Sequence, residues 1–403
     1  MSALRKVLTV ASATHLALAG CATPNRLPAV PVSQASMTAD SLSAVRFLVA
    51  RESESFAAEA KNALAKEEQW LAVHSPGGSL PPAALLAISG GGDNGAYGAG
   101  FLKGWTAAGT RPEFKVVTGI STGALIAPFA FLGPKYDYVL ERVYTTTAQK
   151  DIFKKRGLVK AIFGEALADT RPLAGVIGSY VDRALLDQIA AEYAKGRILL
   201  VGTTNLDSLE PVIWNMTAIA ARKDPDAIAL FRNILLASAS IPGAFPPVMI
   251  EVEVDGRRYQ EMHVDGGTMT QVFLYPPSLS IAAAPKRTRS LYVIRNARLD
   301  ADWASVERRT LTIAARAIAS LTTTQGLGDL YRIYATAQRD DLDFNLTFIP
   351  RSFTAPHNEQ FDTAYMRVLF DTGFAAAKGG PEWQKYPPGF ASPIKAPAPP
   401  AAE

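Results

Sequence analysis

Apolar runs of strand length recur through the middle of the chain, with segments of helical spacing between them. The runs are rich in Val, Ile and Leu, as buried strands of a parallel sheet are. The predicted strands are Leu85–Ser89, Phe114–Thr118, Arg197–Gly202, Pro211–Asn215, Ser290–Ile294 and Phe344–Ile349. Two further runs, Val248–Val254 and Arg257–Val264, flank the turn residues Asp255-Gly256 and predict a hairpin.

Apolar residues at helical spacing predict helices before, between and after these strands. The predicted helices are Ser41–Leu71, a small-residue segment from Ala96 to Trp105, Ala227–Leu236, Trp303–Leu321 and Phe361–Ala377. Strands that alternate with helices indicate an α/β fold.

The N-terminus has the layout of a bacterial signal peptide. Arg5 and Lys6 precede an apolar stretch, Val7–Gly20, which is too short and too polar to span a bilayer. Leu18-Ala19-Gly20-Cys21 resembles a lipobox, in which the cysteine is lipidated and becomes the first mature residue. Ala22 is not the aspartate of an inner-membrane retention signal. We therefore expect a lipid anchor at Cys21 in the cell envelope, in the outer rather than the inner membrane; the alternative is a secreted protein with an ordinary cleavage site.

Composition narrows the function classes. The net charge is +4 and falls to +2 without residues 1–20, which is too small for nucleic-acid binding. The single cysteine excludes an intrachain disulfide, and no metal-ligand spacing is present, so neither a metal nor another cofactor is expected. The predicted organisation is a signal peptide at 1–20, a flexible tether at 21–40, a helical segment at 41–80, a catalytic domain at 81–380 and a disordered Pro/Ala-rich tail at 381–403.

Gly119-Ile120-Ser121-Thr122-Gly123 follows a predicted strand and opens an apolar segment, which is the setting of a nucleophile elbow. Glycines at 119 and 123 allow strained dihedrals and a close approach of strand and helix. The Ser121 hydroxyl would then be exposed at the tip of the turn. Because a serine hydroxyl needs a base to take its proton, Asp265 in Asp265-Gly266-Gly267 is the candidate base. These features predict a serine acyl hydrolase.

A glycine-rich loop after the first predicted strand is the candidate oxyanion hole. Backbone N–H groups at such a junction can point at an anion, which is either a phosphate or the oxyanion of an acyl intermediate. The loop consists of Gly90, Gly91, Gly92, Asp93, Asn94 and Gly95.

Histidine offers a competing mechanism. His357 follows Ser121 and Asp265 in the order of a Ser–Asp–His triad, although it lies in a segment with loop composition. His263 is two residues from Asp265 and is expected to be a structural histidine with satisfied hydrogen bonds.

Together the three motifs, with Ala237–Pro247 before the aspartate, resemble the patatin-like phospholipase family over residues 83–275. The resemblance implies a three-layer α/β/α fold with a mainly parallel central sheet. It also implies a Ser121–Asp265 dyad that hydrolyses esters of phospholipids or lysophospholipids. Asn94 stands where the family usually has Arg or Lys. The alternatives are a non-catalytic, lipid-binding envelope lipoprotein and a Ser–Asp–His esterase that uses His357.

Overall fold

The computed structural model describes residues 25–34, 42, 45–49, 53–157, 165–282, 284–300 and 303–390. The predicted signal peptide and Cys21 lie outside these residues. The strands are β1 Arg46–Leu48, β2 Ala83–Ile88, β3 Phe114–Ile120, β4 Lys154–Lys155, β5 Ala168–Asp169, β6 Ile198–Asn205, β7 Glu210–Asn215, β8 Val248–Val254, β9 Arg257–Asp265, β10 Arg289–Arg295 and β11 Asp343–Phe348. The α-helices are α1 Ser53–His74, α2 Gly95–Ala107, α3 Thr122–Leu132, α4 Asp137–Thr146, α5 Gln149–Ile152, α6 Arg171–Tyr180, α7 Arg183–Ala194, α8 Met216–Ala221, α9 Asp226–Ser238, α10 Thr310–Arg339 and α11 Thr363–Ala377.

Five parallel strands form the centre of the main sheet, in the order β11-β10-β2-β3-β6. Beyond them β7 and β1 add antiparallel edge strands. The β8–β9 hairpin joins through β9, which runs antiparallel to the last residues of β6. Because parallel strands end at the same edge, the loops after β2, β3, β6 and β10 meet there. We call this the carboxyl edge of the sheet.

Helices cover both faces of the sheet, which gives three layers. Successive side chains of a strand point to opposite faces. Leu86 and Ile88 therefore enter a core with α2, α3, α7, α9 and α11, whereas Leu85 and Ala87 enter a second core with α1 and α10. All six residues of β2 are buried, so this strand shows no polar alternation in the sequence. The predicted three-layer α/β/α class with a mainly parallel central sheet is confirmed.

Several predicted boundaries are wrong, and tertiary contacts explain each one. The segment predicted as one helix from Ser41 contains β1, which pairs with β7, and its helix begins only at Ser53. The predicted tether is ordered where it is described, because Arg26 pairs with Asp207. The tail predicted to be disordered is structured up to residue 390: Trp383 packs among the aromatic rings of the first core.

The helix predicted over Trp303–Leu321 instead begins at Thr310 and continues to Arg339. Helices α4 to α8 were not predicted from the sequence. None of the helices in the described part of the chain is long and apolar enough to cross a membrane.

Candidate active site

Ser121 lies in a sharp turn between β3 and α3 and carries the strain of that turn itself. Its φ and ψ angles are 56° and −126°, a conformation that non-glycine residues rarely adopt. The strained dihedrals expected at Gly119 and Gly123 are not found, because neither glycine has a positive φ. Their close approach is found: a Cβ on Gly119 would lie 2.4 Å from the Gly123 carbonyl oxygen, and one on Gly123 would lie 2.3 Å from the Ile88 oxygen.

The two candidate catalytic residues meet because both lie beside β6. Ile120, the last residue of β3, pairs with Gly202, and Asp265, the last residue of β9, pairs with the next residue, Thr203. Ser121 therefore leaves the sheet next to the point where Asp265 enters it. The Ser121 side chain hydrogen-bonds to the Asp265 carboxyl group.

Asp265 is a buried carboxyl group in the described structure, with 5% of its surface exposed and no basic side chain paired with it. Desolvation raises its pKa to about 7, and hydrogen bonds from Ser121 and from the Gly267 N–H, at 2.7 Å, offset part of that rise. A pKa near neutrality suits a group that must both accept and return a proton.

The segment before the hairpin holds both residues in place, a role that the sequence analysis did not assign. The Ser238 Oγ atom accepts the Ser121 N–H at 3.0 Å and donates to the Gly202 carbonyl oxygen at 2.7 Å. The Ser240 carbonyl oxygen accepts the Asp265 N–H at 2.9 Å. The resemblance of Ala237–Pro247 to a family motif was the available signal.

Gln271, which the sequence analysis missed, connects the aspartate motif to the glycine-rich loop. Its side-chain amide donates to the Gly267 carbonyl oxygen at 2.6 Å, and its own carbonyl oxygen accepts the Gly90 N–H at 2.9 Å. The buried Asp329 carboxylate in turn accepts the Gln271 N–H at 2.6 Å. A Cβ on Gly266 would lie 2.6 Å from the Gly202 oxygen, so this motif also needs its glycine.

Three N–H groups of the glycine-rich loop are available to an anion. The N–H groups of Gly90, Asn94 and Gly95 are already used inside the protein. Those of Gly91, Gly92 and Asp93 have no acceptor among the described residues. A Cβ on Gly90 would lie only 3.2 Å from the Ser121 Cβ, so the loop passes directly beside Ser121.

Gly91 and Gly92 adopt positive φ angles of 155° and 60°. A Cβ on Gly91 would also lie 2.2 Å from the Asn296 carbonyl oxygen. The loop conformation therefore depends on glycine at these positions. At the position where the family usually has Arg or Lys, the Asn94 side-chain oxygen accepts a hydrogen bond from the Tyr365 hydroxyl at 2.6 Å.

His357 pairs with a different carboxylate. Its Nε2 atom lies 2.8 Å from the Asp93 Oδ2 atom, and its ring stacks on Tyr365 at 4.2 Å. The Phe361 N–H donates to the same Asp93 oxygen at 2.7 Å. The structure therefore places His357 behind the glycine-rich loop and not between Ser121 and Asp265.

His263 is a structural histidine, as expected. It is fully buried, with Nδ1 2.9 Å from the Thr203 Oγ1 atom and Nε2 3.1 Å from a Glu261 carboxylate oxygen. Burial lowers its pKa, which favours the neutral ring.

An apolar cavity opens beside the elbow and the glycine-rich loop. Gly92 and Thr122 lie at its polar end, and α6 contributes Leu173 and Ile177 to its apolar wall. The remaining wall is largely apolar and includes Leu125, Phe129, Val143, Ile152, Val176, Leu235, Phe361 and Met366. Its apolar lining suits a hydrocarbon chain. No group of three potential metal ligands is found in the part of the chain that the structure describes.

Comparison with known proteins agrees with the motifs. A family model described as patatin-like phospholipase matches residues 86–275, which contain the elbow, the loop and the aspartate motif. The solved structures similar to this chain include VipD from Legionella pneumophila and human GIVD cytosolic phospholipase A2, each at 12% identity with a TM-score of 0.31. The first similarity covers 72% of this chain and 67% of VipD, and the second covers 66% of this chain and 50% of the human chain. No curated protein sequence matches the chain. Residues 86–275 therefore form a patatin-like phospholipase domain, a domain of lipid acyl hydrolases.

Proposed function

We propose that the protein hydrolyses carboxylic esters of phospholipids or lysophospholipids with Ser121 as nucleophile and Asp265 as base. The observation that carries the proposal is the hydrogen bond between the strained Ser121 and a buried carboxyl group whose pKa is raised to about 7. No cation competes for that carboxylate among the described residues, so the Ser121 hydroxyl is its available proton donor.

In the acylation step, the Ser121 hydroxyl proton passes to Asp265 while Oγ bonds to the carbonyl carbon of the ester. The negative charge moves to the carbonyl oxygen, where the unused N–H groups of Gly91, Gly92 and Asp93 can stabilise it. Collapse of this intermediate breaks the bond to the alcohol, which leaves with the proton from Asp265. Water then attacks the acyl-serine, Asp265 again takes and returns the proton, and the fatty acid is released.

The apolar cavity supports a lipid substrate. It begins at Gly92, which belongs to the proposed oxyanion hole, and at Thr122, which follows the proposed nucleophile in the chain. An acyl chain in this cavity would place its ester carbonyl group at the cavity mouth, beside Ser121. The burial of that chain would supply binding free energy of about 0.8 kcal/mol per methylene group.

Labelling with a fluorophosphonate tests the nucleophile, because this probe reacts with activated serines. We expect wild type to be labelled and to hydrolyse p-nitrophenyl butyrate and phospholipids, and Ser121→Ala to lose both properties. Ser240→Ala is the matched control, because the Ser240 hydroxyl donates to the Leu236 carbonyl oxygen in α9, whereas Asp265 is held by the Ser240 backbone carbonyl, which this substitution keeps. Absence of labelling in folded wild type would favour a non-catalytic lipid-binding protein.

We further propose that Cys21 carries a lipid anchor and that the protein resides in the cell envelope, in the outer membrane. The support is the Leu18-Ala19-Gly20-Cys21 pattern, in which Cys21 is the only cysteine of the chain. Cys21→Ser should release the protein into the soluble fraction on cell fractionation. A variant that stays with the membranes as firmly as wild type would count against the anchor, unless salt or alkaline washing releases it.

A further inference from the structure

Helix α10 is much longer than the strands on which it packs. Its 30 residues extend about 45 Å at 1.5 Å per residue, whereas the seven residues of β10 extend about 23 Å. The helix connects the carboxyl end of β10 to the start of β11, so it runs from the carboxyl edge to the opposite edge. Its final residues reach that opposite edge, and the excess length must therefore lie beyond the carboxyl edge.

Gly326 marks the point where α10 crosses this edge. A Cβ on Gly326 would lie 2.3 Å from the guanidinium group of Arg295, the last residue of β10. From Gly326 onward the helix contributes buried residues, among them Leu330, Tyr334 and Ala337. Before Gly326, no described side chain of the helix is buried. The first half of α10 therefore projects from the body of the protein.

The projecting half presents large apolar side chains to solvent. Ile313, Ile318 and Leu321 are 52%, 63% and 71% exposed. At 100° per residue they fall within an arc of about 140°, so they form one apolar face. Trp303 and Val306, in the segment that leads into the helix, are also exposed, Trp303 at 86%. We call Trp303, Val306, Ile313, Ile318 and Leu321 the α10 apolar face.

The charge of this segment is positive. Between Trp303 and Leu321 the sequence contains Arg308, Arg309 and Arg316 but only one acidic residue, Glu307. An amphipathic helix that combines exposed Ile, Leu and Trp with arginines fits the interface of a membrane with anionic lipids. Tryptophan in particular favours the headgroup level of a bilayer.

The contact between Arg26 and Asp207 also indicates that the carboxyl edge faces the membrane. Arg26 makes two hydrogen bonds, at 2.8 and 2.7 Å, to the carboxylate of Asp207. Asp207 lies in the turn after β6, which is at the carboxyl edge. Arg26 lies five positions after Cys21 in the chain, a reach of at most about 18 Å. A lipid on Cys21 would therefore hold the same edge of the sheet near the membrane.

We propose that the α10 apolar face docks on the surface of an anionic phospholipid bilayer and turns the carboxyl edge, with Ser121, toward the lipid. This proposal rests on the proposed function, because docking would bring lipid esters to the edge of the sheet where the apolar cavity opens. The anchor would keep the protein at the membrane, and the projecting helix would set its orientation.

Vesicle binding tests the α10 apolar face. The parent protein is the full chain with Cys21→Ser, which cannot carry an acyl anchor. The probe is vesicles of phosphatidylglycerol with phosphatidylcholine, compared with phosphatidylcholine alone. We expect the triple variant Trp303→Ser/Ile318→Ser/Leu321→Ser to bind the anionic vesicles at least about tenfold more weakly than its parent. Val73→Ser is the matched control, because Val73 is 75% exposed near the end of α1, the helix that leads to the start of β2 at the opposite edge. It should bind like the parent.

Hydrolysis measurements separate this proposal from the catalytic one. The triple variant should keep its rate on soluble p-nitrophenyl butyrate and lose rate on vesicles, whereas Ser121→Ala should lose hydrolysis and keep vesicle binding. Equal binding by triple variant and parent would overturn the docking surface. A parent protein that does not bind the anionic vesicles would also overturn it. A triple variant that changes only the oligomeric state would overturn it too, because the face would then be a protein interface.

Discussion

Two aspartates at the carboxyl edge have opposite environments. Asp265 is buried with the Ser121 hydroxyl and the Gly267 N–H as its partners, and burial raises its pKa to about 7. The Asp93 carboxylate is paired with the imidazole of His357 and accepts a hydrogen bond from the backbone N–H of Phe361. An aspartate paired with a histidine is the usual sign of a catalytic triad, yet here the pair lies behind the glycine-rich loop. The proposed base and the histidine are therefore separate, and their roles can be tested separately.

The difference shows how one edge of a sheet can use the same residue type in two ways. Asp93 connects the glycine-rich loop to the segment before α11, so its hydrogen bonds fix the loop's position. Asp265 is held by its neighbours on β6 and by the Ser240 carbonyl oxygen, which leaves its carboxylate for Ser121. The partner decides the role of each carboxylate.

Asp265→Asn should cause the largest change, because it removes the proposed base and keeps the shape of the side chain. We expect the turnover of p-nitrophenyl butyrate to fall by about 10³-fold or more, nearly as far as in Ser121→Ala. Residues that act as one unit lose function non-additively, so the double variant should be little worse than either single variant. Circular dichroism checks the fold. A folded Asp265→Asn protein within tenfold of wild type would contradict the dyad.

The pH dependence of turnover should follow the ionisation of Asp265. Because only the carboxylate can accept the Ser121 proton, the rate should rise about tenfold per pH unit at low pH and level off above the Asp265 pKa of about 7. The residual activity of Asp265→Asn should lack this rise. The measurement is kcat/KM on a soluble ester across the acidic and neutral range. A midpoint near the ordinary aspartate pKa would mean that burial does not govern the site.

The free energy of unfolding should also depend on the ionisation of Asp265, but it should fall with pH over the range in which turnover rises. The folded state holds the Asp265 proton more tightly than the unfolded chain, so stability from this carboxyl group is lost as pH rises from 3.8 to about 7. Asparagine carries no charge at any pH. The stability of Asp265→Asn relative to wild type should therefore increase across this interval by up to about 4 kcal/mol. Denaturant unfolding at both ends of the interval measures it; a pH-independent difference would argue against a raised pKa.

His357→Ala should cause the smallest change in the chemistry. It removes one of the partners of Asp93 and leaves the Phe361 N–H, so the loop keeps part of its support. We expect turnover to fall only a few-fold, within the range of a loop substitution. Under the Ser–Asp–His alternative the loss would equal that of Ser121→Ala, since the imidazole would carry the proton. Steady-state rates of the folded variant distinguish the two.

The sequence by itself determined the fold class and predicted the candidate catalytic residues. A buried parallel strand is a continuous apolar run, and an elbow or a glycine-rich loop needs glycine where backbones approach closely. Both are local requirements, so they are visible in Leu85–Ser89 and in Gly119–Gly123. The hairpin that ends at Asp265 was also predictable, because alternation and Asp255-Gly256 are local signals.

Only the tertiary structure decided which residues meet. The pairing of Ile120 and Asp265 with neighbouring residues of β6 brings the serine and the carboxylate together, although 144 positions of chain numbering separate them. Burial at that junction, and not the residue type, sets the pKa of Asp265. Long-range contacts likewise explain why the predicted start of the first helix forms β1, which pairs with β7, and why His357 pairs with Asp93. Such contacts depend on the packing of distant segments, and a one-dimensional pattern carries no record of them.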